Sequence, residues 1–62
     1  MNVKENRKHI NYLLNFKQVI ENKGERATTF RLACFLQEHF PEYKERDLES
    51  LEKEVTEIIY SA

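Results

Sequence analysis

One cysteine, Cys34, leaves no partner for an internal disulfide, and one glycine, Gly24, is too few for a glycine-rich phosphate loop. No C-x-x-C or H-E-x-x-H spacing occurs, and Glu38 and His39 are adjacent, so on a helix they diverge. No metal or organic cofactor is therefore expected. The longest unbroken apolar run, Leu32 to Leu36, falls far short of the roughly 20 residues that span a bilayer. The first twenty residues are polar and broken by charge, unlike a signal peptide. With an unpaired cysteine that suits a reducing compartment, they point to a cytoplasmic protein without membrane contact.

Charge of one sign is also lacking overall: ten basic and eleven acidic side chains give −1. No general attraction to nucleic acid or anionic lipid follows. The distribution is uneven, however. Seven basic residues oppose three acids up to Arg31, and seven acids oppose three basic residues from Glu42 onward. Such a dipole along the sequence predicts attraction between its ends, within one fold or across a dimer, or a charged partner at one end.

What is present is helical periodicity. The stretch from Ala27 to Phe40 is apolar nearly all round, with Phe30, Ala33, Cys34 and Phe40 on one half and Leu32, Phe35 and Leu36 on the other. A helix of this kind is central or shared with a partner. Thr28 or Thr29 caps its start, and Pro41 ends it by disfavouring helical geometry at Phe40.

A first helix is predicted over about residues 4–22, with Val3, Ile10, Leu13, Leu14 and Ile20 on one face and Tyr12, Phe16 and Val19 widening it. Lys17 snorkels from this face toward Glu21. Gly24 supplies the left-handed residue past the end, and the short link beyond it makes helices 1 and 2 a hairpin. Residues 41–46 read either as the start of helix 3 or as a turn or short 3₁₀ piece before Asp47 caps the main helix; the second is preferred. Leu48, Leu51, Val55, Ile58 and Ala62 then recur at 3-4-3-4 spacing, with Glu49, Glu52, Glu54 and Glu57 among the solvent-suited residues opposite.

The predicted fold is all-α: a small three-helix bundle, a helical hairpin plus a C-terminal helix, in a single domain. Its expected core is Ile10, Leu13, Leu14, Ile20, Phe30, Ala33, Cys34, Leu36, Leu48, Leu51, Val55 and Ile58. A domain this short buries only about 60% of its unfolded surface, so a homodimer is the default and a well-packed monomer the alternative.

Candidate chemistry is sparse. Cys34 and His39 lie five positions apart, about 140° round a helix, which does not make a nucleophile–base pair. His9 is assigned to the surface or boundary and His39 to capping the C-terminus of its helix. Enzymatic activity is not expected. The surplus apolar residues Tyr12, Phe16, Leu32 and Phe35 are assigned to a dimer or partner surface, which makes the expected function that of a small regulator or adaptor. The alternative is nucleic-acid binding through Lys4, Arg7, Lys8 and Asn11, on a helix 1 stripe free of carboxylates.

Overall fold

A computed structural model describes residues 3–60. The chain is a small all-α three-helix bundle, with α1 at Arg7–Asn22, α2 at Thr29–His39 and α3 at Leu48–Tyr60. Short 3₁₀ turns at Val3–Glu5 and Pro41–Tyr43 precede α1 and α3. Among the described residues there is no strand. Ala62, the last position of the predicted α3 stripe, lies outside them.

Local chemistry sets each boundary. Helix α1 begins three residues later than expected, because Asn6 takes an extended conformation and its Oδ1 accepts from the His9 amide at 3.2 Å. At the other end Gly24 has φ +79°. The Gly24 amide donates to the Glu21 carbonyl and the Glu25 amide to the Ile20 carbonyl, completing a Schellman motif. Thr28 caps α2, its Oγ1 accepting from the Arg31 amide at 3.1 Å. The preferred turn at residues 41–46 is present, and Asp47 caps α3 through a 3.1 Å bond from the Ser50 amide.

Helix α2 packs against both other helices, more extensively against α3. The core comprises Leu13 and Ile20 of α1, Leu32, Ala33 and Leu36 of α2, and Leu51, Val55 and Ile58 of α3, closed by Val3 and Tyr43. Ile10 and Leu48 pack against it, half-buried. Cys34, expected inside, is half-buried.

The positions of Leu32, Phe30 and Leu14 reverse. Leu32, assigned to a partner surface, has no exposure at all and shares the buried arc of α2 with Ala33 and Leu36. Phe30 lies two residues earlier, about 160° round the helix, and is 54% exposed instead of buried. Leu14 is 42% exposed, since it follows buried Leu13 by about 100° and leaves the narrow arc that His9, Leu13 and Ile20 define.

The charge dipole closes partly on itself. Lys4 Nζ lies 2.9 Å from Glu57 Oε2, and the Val3 amide donates to Glu54 Oε1 at 3.0 Å. The Arg46 guanidinium pairs with the other Glu54 oxygen. Glu54, expected on the solvent side of α3, is thus half-buried and shared between two turns. The Lys17–Glu21 pair forms as predicted, at 2.9 Å.

Candidate functional site

Antiparallel packing of α1 and α2 brings their aromatic residues into one seam. On α1, His9, Tyr12 and Phe16 recur at spacing 3 and 4 and so share one side of the helix. Opposite them stand Phe35 and His39 of α2 and Phe40, the residue that Pro41 forces out of the helix. Phe16 and Phe35 stack with ring centroids 4.0 Å apart and planes 13° from parallel. Tyr12 meets Phe40 edge-on at 5.8 Å, and His39 tilts over Phe35 at 4.5 Å.

The seam grades from interior to surface. Phe16, Phe35 and Phe40 are half-buried, whereas Tyr12 is 51% exposed. Val19, one turn past Phe16 on the same side of α1, is 43% exposed and extends the apolar strip. Of the four residues assigned to a contact surface, Tyr12, Phe16 and Phe35 therefore lie together, and Leu32 lies beneath them in the core.

His9 marks the inner edge and is buried, contrary to the surface or boundary position expected for it. Its ring stacks on Phe40 at 4.0 Å, and Nδ1 is hydrogen-bonded to the Tyr43 hydroxyl. On the other side Nε2 faces Asn6 Nδ2 at 3.4 Å and Glu42 Oε2 at 3.5 Å. Every polar atom of the ring therefore has a partner, which is what permits a histidine inside so small a core. Burial, with the carboxylates of Glu42 and Glu54 nearby, raises the Tyr43 phenol above its ordinary value of 10.0, against an opposing effect of Arg46. Tyr43 has no exposure, and its bond to His9 ties α1 to the turn before α3.

Sequence reasoning gave Tyr43 no role. The available signal was its spacing, three residues after Phe40 across the proline, which a 3₁₀ turn places on one side.

The basic stripe is divided by the same local structure. Lys4 lies on the 3₁₀ turn before α1, paired with Glu57, while Arg7, Lys8 and Asn11 are exposed on α1. No group of three or more potential metal-ligating side chains occurs among the described residues, and no helix there is long and apolar enough to cross a membrane. Comparison of the chain with protein-family models, curated proteins and solved structures finds no match in any of the three.

Proposed function

We propose that this chain is a small regulator or adaptor that acts by protein–protein contact, with the α1–α2 seam as its contact surface. The observation that carries this is the continuous strip from Tyr12 through the Phe16–Phe35 stack to Val19, in which large apolar side chains face water on a well-packed bundle. Aromatic residues already held by neighbours lose little freedom on binding and make effective anchors. A catalytic role has less support: the buried histidine is occupied by Tyr43, Asn6 and Glu42.

A different protein is favoured over a second copy. The accessible surface of 4423 Å² is close to the roughly 4,200 Å² of an average compact 7.5 kDa chain, which supports a fold that needs no second copy to form its core.

The test is capture from native lysate with the tagged chain, with and without nuclease and at two salt concentrations, alongside a Tyr12→Asp/Val19→Asp variant. Both positions are exposed, so the variant should keep the fold. A defined protein retained by the wild type through nuclease and salt, and lost by the variant, is the expected result. Capture abolished by nuclease would instead implicate Arg7, Lys8 and Asn11 in phosphate contact, with its steep salt dependence.

A further inference from the structure

The apolar strip on α1 is bounded by cations. Lys8, Tyr12, Phe16, Val19 and Lys23 follow one another at spacing 4-4-3-4, so they run along one side of the helix from its first turn to its end. Lys8 and Lys23 are both exposed, and neither has a carboxylate within ion-pairing distance among the described residues. On α2, Arg31 borders the seam near Phe35, already engaged with Glu25 at 2.8 Å. Two acids lie nearby: Glu38, three residues past Phe35 and so on the same side of α2 as Arg31, and Glu42, which faces His9. An apolar strip with an unpaired positive charge at each end results.

We infer that the α1–α2 seam receives an acidic amphipathic helix from another protein, an inference that rests on the contact function proposed above. The strip lies between two packed helices, and such a surface accepts the apolar side of a third helix in ridge-and-groove fashion. A segment added as a β-strand would need a free sheet edge, and the described residues contain no strand. Fifteen residues separate Lys8 from Lys23, a rise of about 22 Å, or about four turns. The partner therefore carries an apolar stripe of about that length, with carboxylates near both ends to meet the two ammonium groups. A second copy of this chain is a poor match, because the apolar side of its own acidic helix, Leu51, Val55 and Ile58, is buried in its own core.

Two synthetic helical peptides of about four turns test this. They share one apolar stripe and differ only in carrying glutamate or lysine in the first and last turns. Each is titrated into the ¹⁵N-labelled full chain, with a short DNA duplex as a third arm. The expected result is that the glutamate peptide shifts the amides of Tyr12, Phe16, Val19 and Phe35 and binds about tenfold more tightly than the lysine peptide at low salt, the gap narrowing as salt is raised. Lys8→Glu/Lys23→Glu should reverse the preference. Equal binding of both peptides at the seam overturns the charge inference and leaves the contact function standing. Shifts elsewhere, no binding by either peptide, tighter binding of the duplex, or self-association that covers Tyr12 and Val19 each overturn the proposed occupant. The contact function itself fails separately, if the Tyr12→Asp/Val19→Asp variant retains the wild type's lysate partner.

Discussion

His9 and Tyr43, thirty-four positions apart, share a hydrogen bond inside the bundle. Each supplies the partner the other needs in order to be buried. Truncating one leaves the other with an unpaired polar group, which costs about 1–3 kcal/mol. Tyr43→Phe and His9→Phe should each lower the urea midpoint, and the double variant should lose less than the sum of the two. Strict additivity in the double-mutant cycle would show that the bond contributes nothing beyond packing.

Alkaline pH probes the same hydroxyl. The folded state raises the Tyr43 pKa above 10.0, so the neutral phenol is favoured by folding. That contribution is complete below the unfolded value, near pH 10, and is lost as pH rises through the higher folded value. Stability measured by denaturant at several pH values should therefore fall above about pH 10, where other bases also titrate. The part assigned to Tyr43 is the difference between wild type and Tyr43→Phe. Parallel pH profiles for the two would remove Tyr43 from the alkaline response.

At Gly24 the cost of substitution is conformational alone. Its φ is +79°, and a Cβ built there would meet nothing within 4 Å. Gly24→Ala should cost about 1 kcal/mol, Gly24→Val more, and Gly24→Asn less, because asparagine tolerates the left-handed region. Thermal melts of the three variants would check the order; an alanine variant as stable as wild type would contradict the Schellman geometry.

Leu32 and Phe30 form a matched pair on opposite sides of α2. Leu32→Ala should cost about 2–5 kcal/mol, enough to unfold a marginal domain. Phe30→Ala should change stability by no more than about 0.5 kcal/mol. Near-equal losses on chemical denaturation would mean that α2 is rotated relative to the arrangement described.

The legible parts of this fold were those governed by local chemistry. Thr28, Asp47 and Gly24 each announce a helix boundary by the hydrogen bonds or backbone angles they favour, and all three take the expected positions. The 4-3 spacing of Leu51, Val55 and Ile58 likewise identified the buried side of α3. In α2 the pattern was ambiguous, because a helix apolar all round does not say which side is innermost; Leu32 and Phe30 were exchanged for that reason. His9 and Tyr43 were hidden for another. A polar residue is buried only when its partner arrives from elsewhere in the chain, and neither sequence neighbourhood shows that partner. Of the four residues assigned to a contact surface, Tyr12, Phe16 and Phe35 are those whose helical register makes them neighbours in the seam.

Glu54 receives the Val3 amide on one oxygen and the Arg46 guanidinium on the other. Val3 and Arg46, forty-three positions apart, are therefore anchored to one side chain. Release of either leaves a half-buried carboxylate short of a donor and weakens the hold on the other. The segment before α1 and the turn before α3 are thereby coupled through one carboxylate, and Glu54→Gln should raise amide exchange in both segments together.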